Sequence, residues 1–471
     1  AVCFSCDVWF PGSTTQVRGA FSKGDCTCPS GMYRWRPREG DEGECRTCPK
    51  GLTCPGGLGP PLQGAGFHTA KPRFDGDTDI YVIECRNKFV CPDATALNSC
   101  PENRAGLACD YCDVDYVEEG NTCADCAQRR SFVPFLLSIL MVLAGSLGLY
   151  LYAIREVTLQ AQTLMTITIT CSLAVNVLQV LGAFREIELD WPEPMQSIYR
   201  ALAIFTFRVE LLNPGCVFKT NSPVFMYIGA LMTHPCFAVV LCAFFMLASF
   251  LPHPLGRRAT LNQVINAHGL VLLMFYISLT IITVTPWHCK SNPDGSSSVV
   301  SKRSVICWST SEHLVMIGFS VIGWLLYVFG FLAIILWATF VYPQMIAKPG
   351  GIGFVRRFQF IFMRYKPETY YYGVIYCVRN LLIALLPVIF VGNVALQLLL
   401  ITLAISITLV IQSELQPWFT KIGNKIDTVA SITLLIILIG GALALDVNTT
   451  QTNDTLMAVF STAVCGLALC F

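Results

Sequence analysis

Nine long apolar segments are the feature that most restricts the fold of this chain. A helix needs ~20 residues to cross a bilayer core of ~30 Å. Of the 471 residues, 54% are hydrophobic and 13% are charged, a composition typical of polytopic membrane proteins. The segments are 132–154, 159–184, 224–251, 264–285, 314–342, 370–390, 394–412, 426–445 and 456–471. We therefore predict an all-α polytopic membrane bundle of about nine transmembrane helices.

Cysteine residues divide the chain into two domains. Fourteen of the 23 cysteines precede residue 127, among turn signals such as Cys28-Pro29-Ser30-Gly31. An even number of cysteines in a segment rich in Gly and Pro favours a disulfide framework outside the cytosol, with the pairing left open. The cysteines are Cys3, Cys6, Cys26, Cys28, Cys45, Cys48, Cys54, Cys85, Cys91, Cys100, Cys109, Cys112, Cys123 and Cys126. We predict a disulfide-rich, β-ribbon ectodomain over 1–130 and a helical membrane domain over 131–471.

Two metal sites are alternatives within the ectodomain. The Cys-x2-Cys pairs at 109–112 and 123–126 have roughly the spacing of a zinc site. Alternating aspartates over 75–79 resemble the start of a calcium loop, but Ile80 stands where that loop needs glycine and no glutamate closes it. We favour oxidised cysteines and a solvated acidic turn. The sequence therefore predicts no metal and no cofactor.

The loops between the apolar segments indicate an outside N-terminus. If the ectodomain is outside, the short inner loops carry ten Lys and Arg residues against three in the short outer loops, as the positive-inside rule expects. Cys289 and Cys307 then share one outer loop and can form a disulfide. The acceptor sequences at Asn448 and Asn453 also fall outside, which predicts glycosylation. We expect a plasma membrane or another outward-facing membrane.

The outer segment 185–223 differs from the other loops. Trp191-Pro192 opens a helical pattern of apolar residues that ends near Cys216. Arg200, Arg208 and Glu210 would make a full span costly, so we predict an amphipathic helix at the membrane interface or a re-entrant helix. The chain begins at Ala1 and stops at Phe471 inside an apolar run, so we expect a mature or partial product whose C-terminus is missing.

Two resemblances follow from these motifs. The Cys-Pro-Gly units of the ectodomain resemble ephrin-receptor-like repeats, relatives of EGF modules, which implies short β-ribbons and contacts with a protein or glycan partner. The whole chain resembles multispanning proteins of algae and other protists that are grouped with TRP-like, polycystin-related channels. The residues that carry this second likeness are Trp191-Pro192, Cys216, His234-Pro235, Tyr370, Arg379, Pro417-Trp418, Asn424 and Asp427.

The second resemblance implies a TRP-like cation channel or a transport-related sensor. It also allows the chain to form a homo-oligomer. TRP channels carry a pore helix between their last two spans. Here the outer loops 391–393 and 446–455 are short, so a pore would run between helices of one subunit or use 185–223. The competing class is a structural or adhesive surface protein, and a receptor that signals through its inner loops is third. Membrane lipid is an expected partner and nucleic acid is not.

Arg379 is the charged residue inside an apolar segment. A buried arginine is costly and is usually retained with a partner. Glu414 and Asp427 stand at the inner ends of the next two segments, so we predict that Arg379 lies within salt-bridge distance of one of them. Such a contact is either a structural ion pair, which we favour, or an electrostatic latch among three helices that gates a pathway.

Other polar side chains also fall at membrane depth. They could line a hydrated path, although such residues more often hydrogen-bond to neighbouring helices, a contact worth ~1 kcal/mol. They are Asn176, Gln179, Asn266, His268, Asn380 and Gln397. No nucleophile–base arrangement, phosphate-binding loop or zinc-protease motif stands in a suitable context, so we expect no enzyme and no catalytic residues.

Overall fold

The computed structural model describes most of the chain and divides it into two compact units. The described residues are 5–8, 11–15, 22, 25–35, 43–57, 59–70, 80–119, 122–126, 132–153, 162–187, 189, 191, 195–202, 216, 219–220, 222–250 and 260–444. Unit 1 comprises 1–131, 213–225 and 288–315, and unit 2 comprises 132–212, 226–287 and 316–471. Unit 1 thus contains two segments from beyond residue 130, the end of the predicted ectodomain.

The first segment of unit 1 consists of antiparallel ribbons of two short strands. Such strands bury little apolar surface, so covalent links must supply much of the stability of a small domain like this. The pairs are β1 (Thr14–Thr15) with β2 (Cys26–Thr27), β3 (Met32–Trp35) with β4 (Glu44–Thr47), β5 (Leu52–Thr53) with β6 (Leu62–Gln63), β7 (Phe67–Ala70) with β8 (Tyr81–Glu84), β9 (Arg104–Ala105) with β10 (Tyr111–Cys112) and β11 (Tyr116–Glu119) with β12 (Thr122–Asp125). The β-ribbon architecture agrees with the sequence-based prediction.

The segment 288–315 adds a three-stranded sheet to unit 1. Its strands are β13 (Cys289–Ser291), β14 (Ser297–Val299) and β15 (Lys302–Ile306), in the order β13-β14-β15. Lys290 Nζ lies 3.2 Å from a carboxylate oxygen of Glu84, and the Ser304 hydroxyl donates to Asp110 over 3.0 Å. Ile306 is buried in the same apolar cluster as Val90. The outer loop is therefore part of the disulfide-rich unit.

Unit 2 is helical. Apart from α3, α9 and α10, the described helices follow the apolar runs, because a helix satisfies its own backbone hydrogen bonds in lipid. They are α1 (Phe132–Ala153), α2 (Gln162–Phe184), α3 (Met195–Leu202), α4 (Pro223–Ser249), α5 (Leu261–Met274), α6 (Tyr276–Val284), α7 (Ser311–Gly323), α8 (Phe329–Ile346), α9 (Gly351–Arg357), α10 (Gln359–Phe362), α11 (Tyr372–Ile389), α12 (Val394–Leu415) and α13 (Lys421–Ala444). The first residues of α4 and α7 belong to unit 1.

The number of spans differs from the prediction of nine. Among the described residues, six helices are long and apolar enough to cross a membrane, and α5 with α6 makes a seventh if the bent pair counts as one span. The helix α1 is 22 residues long and is not counted among these six, because its side chains are described only over Leu136–Leu151. The ninth predicted segment, 456–471, lies outside the described residues. Membrane helices are thus confirmed, and nine spans are not.

Two of the predicted spans are irregular. The segment predicted as one helix over 264–285 breaks at Phe275, where the two halves meet at an angle of 62°. The segment predicted over 314–342 extends from Ser311 to Ile346 and contains a π-helical turn at Trp324–Val328. Such turns insert one residue into a helix and occur often at functional sites.

The core of unit 2 lies among α2, α11, α12 and α13. Val180, Ile383, Ile401 and Leu434, one from each helix, are fully buried in one apolar cluster. By contrast, α4 exposes Val239 and other large apolar side chains along its length. Exposed apolar surface of this extent is typical of a face that contacts lipid.

The segment 185–223 forms a short helix against this core. Trp191 is buried in the same cluster as Val180, and its ring meets the Tyr199 ring on α3 edge-on with centroids 5.4 Å apart. The structure describes the helix α3 over 8 residues. Residues 203–215 lie outside the described part of the chain, so the length of the predicted amphipathic helix stays a prediction. Arg208, Glu210 and the side chain of Arg200 lie outside the described part of the chain.

Candidate functional site

Two loops of unit 2 meet just before α11 and α13. The Lys366 amide donates to the Pro417 carbonyl over 2.8 Å, and the Phe419 amide donates to the Arg364 carbonyl over 2.9 Å. This bridge forms where α12 ends, at Gln416, whose left-handed backbone (φ +42°) stops the helix. The bridge places Tyr365 and Trp418 side by side, with ring centroids 4.9 Å apart.

Trp418 is fully buried at the centre of this contact. Its indole Nε1–H donates to Oδ2 of Asp427 over 2.8 Å, and its backbone amide donates to the Asn424 side chain over 3.1 Å. The Tyr376 ring on α11 meets the indole edge-on at 5.8 Å. Trp418 therefore positions the Asp427 carboxylate and connects it to α11 by packing.

Arg379 and Asp427 form a buried ion pair between α11 and α13. The Arg379 Nη1 lies 3.9 Å from Asp427 Oδ1, and both side chains are 4% exposed. The Arg379 guanidinium also lies 5.5 Å from the centre of the Tyr376 ring, within the range of a cation–π interaction. The predicted contact of Arg379 with a carboxylate is thus present, and Asp427 supplies the carboxylate.

The third member of the predicted latch lies elsewhere. Glu414, near the end of α12, is exposed. The link between α12 and α13 is instead uncharged: Gln412 donates to the Asn424 carbonyl over 3.0 Å and accepts from the Thr428 hydroxyl over 2.9 Å. The structure therefore brings two of the three predicted latch residues together.

Several buried polar atoms around the ion pair have no hydrogen-bond partner among the described residues. They are Arg364 Nη2, Arg379 Nε and the Tyr365 and Tyr376 hydroxyls. Burial raises the pKa of Tyr365 well above its ordinary value, so this phenol remains protonated. Since buried polar groups are nearly always satisfied, a group of unpaired atoms of this kind requires an explanation.

The residues of the predicted hydrated path are not joined by an open channel. Asn176, Gln179, Asn380 and Gln397 are all at most 5% exposed. The Gln397 amide donates to the Pro387 carbonyl over 3.0 Å, whereas neither side-chain atom of Gln179 has a partner among the described residues. In this conformation the helices around these four side chains are closed together.

The two path residues on α5 bind neighbouring backbone. The Asn266 carbonyl oxygen accepts from the Phe360 amide over 2.8 Å, and Nδ1 of His268 lies 2.9 Å from the Val264 carbonyl oxygen. Asn266 thus fixes α10 against α5. The Asn266 contact is the hydrogen bonding between helices that the sequence analysis gave as the alternative to a path.

Disulfides join the described cysteines of unit 1. The pairs are Cys6–Cys26, Cys28–Cys45, Cys48–Cys54, Cys85–Cys91, Cys100–Cys109, Cys112–Cys123, Cys126–Cys216 and Cys289–Cys307. Cys3 lies outside the described residues. The four cysteines with zinc-like spacing are divided among three of these disulfides, so the zinc alternative does not hold. The free cysteines that the structure describes lie in unit 2.

One pair differs from the predicted framework. Cys126 bonds to Cys216, which lies 90 residues further along the chain, in place of a partner among the first 130 residues. In the loop-entropy description, a disulfide that closes a longer loop constrains the unfolded chain more. The bond therefore connects the end of the first segment of unit 1 to its second segment, across the sequence of α1, α2 and α3.

Two histidines stand close to these disulfides without forming a metal site. His68 groups with Cys100 and Cys109, and His313 groups with Cys289 and Cys307, with donor atoms within 4.8 Å. Each cysteine pair is oxidised and offers no thiolate, which is the form that binds metal. The acidic turn at 75–79 and the acceptors Asn448 and Asn453 lie outside the described residues, so calcium binding and glycosylation stay predictions.

The environment of His68 makes the stability of unit 1 sensitive to pH. Burial lowers the pKa of His68 to about 4. Its Nδ1 accepts from the Ala108 amide over 3.4 Å, so the neutral ring is the form that fits. The unfolded chain takes up this proton near the ordinary pKa of about 6.5. The stabilisation is thus complete above pH ~6.5 and is lost as the pH falls toward ~4.

We expect acidification from pH 7 to pH 4.5 to cost about 2 kcal/mol through His68. Amide exchange of the segment around Ala108, measured in the full chain by mass spectrometry, should accelerate over that range. A His68→Gln variant, which cannot take up the proton, should retain only the smaller pH dependence due to carboxylates. Equal acceleration in both proteins would contradict the assignment to His68.

Comparison with known proteins adds no relative. The chain matches no family model, no curated protein and no solved structure.

Proposed function

We propose that this chain is a transport-related sensor of the TRP-like cation-channel class, in a plasma membrane or another outward-facing membrane. The observation that carries the proposal is the buried Arg379–Asp427 ion pair between α11 and α13. The sequence alone favours a structural pair, but an ionisable residue inside a membrane bundle is expensive and is by default a candidate for an ion pathway or a gate. The pair is the proposed latch of the gate.

The buried polar side chains around the bundle core support a pathway that is closed in this conformation. Gln179 on α2 and Asn380 on α11 have amide atoms with no partner in the part of the chain that the structure describes. Such groups gain hydrogen bonds if the helices separate and water enters. Separation of α11 from α13 first requires that the Arg379–Asp427 pair be broken, so the latch and the pathway belong to one movement.

The assembly of unit 1 from three separate segments of the chain supports a sensing role. Its three segments, 1–131, 213–225 and 288–315, are separated in sequence by helical stretches of unit 2. The chain therefore passes between the units at several points, and the Cys126–Cys216 disulfide fastens two of the segments together. A partner that displaces unit 1 would pull on several helices at once.

Flux through proteoliposomes tests the proposal. The purified chain should pass a monovalent cation above the rate of protein-free vesicles. The variant Arg379→Leu with Asp427→Asn removes both charges, so it should fold yet leak or remain shut. If the double variant folds and carries the same flux as the unaltered chain, the pair is structural. If neither protein carries flux, the channel assignment fails.

A surface-adhesion role has an observation of its own. Phe89 and Trp308 are large aromatic side chains in unit 1 that are 64% and 58% exposed. Phe89 is next to Val90 in the sequence, and Trp308 is two positions after Ile306. Val90 and Ile306 belong to one buried cluster. Trp308 also has a positive φ of 64°, an uncommon conformation for a bulky residue. Exposed aromatics on a rigid base are typical centres of protein interfaces.

Cell aggregation distinguishes this role from transport. If unit 1 is adhesive, cells that display the chain should aggregate, and Phe89→Ser with Trp308→Ser should abolish the effect. Val114→Ser, at an exposed apolar position that is 57% accessible, is the matched control and should aggregate normally. Loss of aggregation in the control as well would remove the case for these two side chains.

A further inference from the structure

The buried charges at the start of α11 do not balance. Arg364 and Arg379 are 5% and 4% exposed, and Asp427 is 3% exposed. No other charged side chain is fully enclosed in the described part of unit 2. Arginine cannot lose its proton in a protein. The described residues therefore enclose two positive charges and one negative charge, and an uncompensated buried charge is strongly unfavourable.

Hydrogen-bond donors are also in excess at the same place. Arg364 Nη2, Arg379 Nε and the hydroxyls of Tyr365 and Tyr376 are buried and unpartnered among the described residues. The one enclosed carboxylate, Asp427, already accepts from the Trp418 indole and faces Arg379 Nη1. Four donors thus remain without an acceptor.

These donors belong to one cluster. The Tyr365 and Tyr376 rings both contact Trp418, with centroid distances of 4.9 and 5.8 Å. Arg379 lies over the Tyr376 ring at 5.5 Å. The Arg364 backbone is fixed next to Trp418, because its carbonyl accepts from the Phe419 amide. The Arg364 guanidinium lies close enough to Tyr365 and Tyr376 to interact with both electrostatically.

We propose that this cluster binds the phosphate of a singly charged anion, either free phosphate or the phosphodiester of a phospholipid headgroup. One negative charge balances the surplus of one positive charge. Guanidinium groups bind phosphate oxygens with two parallel hydrogen bonds, and phenol hydroxyls can donate to the remaining oxygens. The site does not depend on transport, because it is argued from charge and donors alone and its test involves no flux.

Thermal unfolding of the purified full chain in an uncharged detergent tests the site. One arm titrates sodium phosphate against sodium chloride at equal ionic strength. The other titrates a short-chain phosphatidylglycerol against a diacylglycerol with the same chains and no phosphate. We expect at least one phosphate-bearing probe to raise the unfolding midpoint above its control. The arm that responds identifies the source of the phosphate.

Variants then assign the effect to the cluster. Arg364→Gln should weaken the affinity for the responding probe about 10-fold or more, as expected for hydrogen bonds to a charged group. Arg356→Gln, at an exposed arginine on α9, is the matched control and should bind normally. Tyr365→Phe and Tyr376→Phe remove only unpartnered hydroxyls, so they should fold and bind more weakly. The proposal is overturned if neither probe stabilises the unaltered chain, or if the Arg364 and Arg356 variants bind equally.

Discussion

Arg379→Leu is expected to lower the free energy of unfolding of the helix bundle by about 3–5 kcal/mol, the usual cost of removing one partner from a buried ion pair. The substitution leaves the Asp427 carboxylate enclosed, with the Trp418 indole as its remaining donor. The other buried arginine, Arg364, makes no ion pair with Asp427 within 4.0 Å in the described chain. The cost therefore arises from the stranded charge on α13 more than from the lost attraction.

The second substitution in the pair should reverse this effect. Asp427→Asn in the Arg379→Leu background removes the stranded charge, and an amide oxygen can still accept from the Trp418 indole. We expect the double variant to recover most of the lost stability, since replacing a buried ion pair by neutral groups is often neutral or stabilising. Denaturant unfolding of the protein in detergent micelles, followed by tryptophan fluorescence, measures all three proteins.

An exposed arginine provides the control for Arg379. Arg356→Leu on α9 removes a charge of the same kind from a solvated position, where substitutions usually change stability by less than about 0.5 kcal/mol. If Arg379→Leu and Arg356→Leu unfold at the same denaturant concentration, the 3.9 Å contact contributes nothing to folding. If the double variant is no more stable than Arg379→Leu, the two charges are not coupled.

Run length predicts the positions of the six or seven membrane-length helices among the described residues, although nine spans are not confirmed. An apolar run near 20 residues has few alternatives to a spanning helix. The break at Phe275 and the π-helical turn at Trp324–Val328 carry no comparable signal, since neither contains Pro or a run of Gly. They depend on packing between helices that are distant in sequence, so they appear only in the structure.

Part of the site could be predicted and part could not. A charge within an apolar run stands out, so Arg379 and a carboxylate partner were found from the sequence. Trp418 was noted only as part of a motif, although its indole holds Asp427. Arg364 is one of the ten cations that the sequence places in the inner loops, and nothing in the sequence indicates that the bridge between Arg364 and Phe419 encloses it.

The disulfide between Cys126 and Cys216 was missed for a different reason. An even count of cysteines before residue 127 suggested a self-contained framework. Cys216 lies in the segment 185–223, which the sequence predicts to be outside the membrane, and that predicted position is a usable signal that it pairs with another outer cysteine. Sequence spacing did not reveal that 213–225 and 288–315 fold with the first segment, because those contacts span about 100 to 200 residues of chain.

Trp418→Ala should destabilise the helix bundle about as much as Arg379→Leu. Removing a fully buried indole typically costs about 3–5 kcal/mol, through lost packing and the cavity that remains. Here the lost packing involves the rings of Tyr365 and Tyr376. The Asp427 carboxylate also loses its 2.8 Å hydrogen bond. The backbone bridge from Lys366 to Pro417 would lose the side chain beneath it, so amide exchange at Lys366 should also accelerate.

Trp418→Phe separates the two contributions. Phenylalanine retains most of the apolar contact and deletes the Nε1–H donor, so it should cost about 1.5–3 kcal/mol, the range for a hydrogen bond to a charged group. Phe419→Ala, at the adjacent and 45% exposed position, is the control and should unfold close to the unaltered chain. If Trp418→Phe is as stable as the unaltered chain, the indole does not position Asp427, and α11 and α13 are joined by Arg379 alone. If the free energy of unfolding of Trp418→Phe falls by the expected amount, the carboxylate of the proposed latch is held from two sides. An indole from the loop before α13 holds one side, and a guanidinium from α11 holds the other.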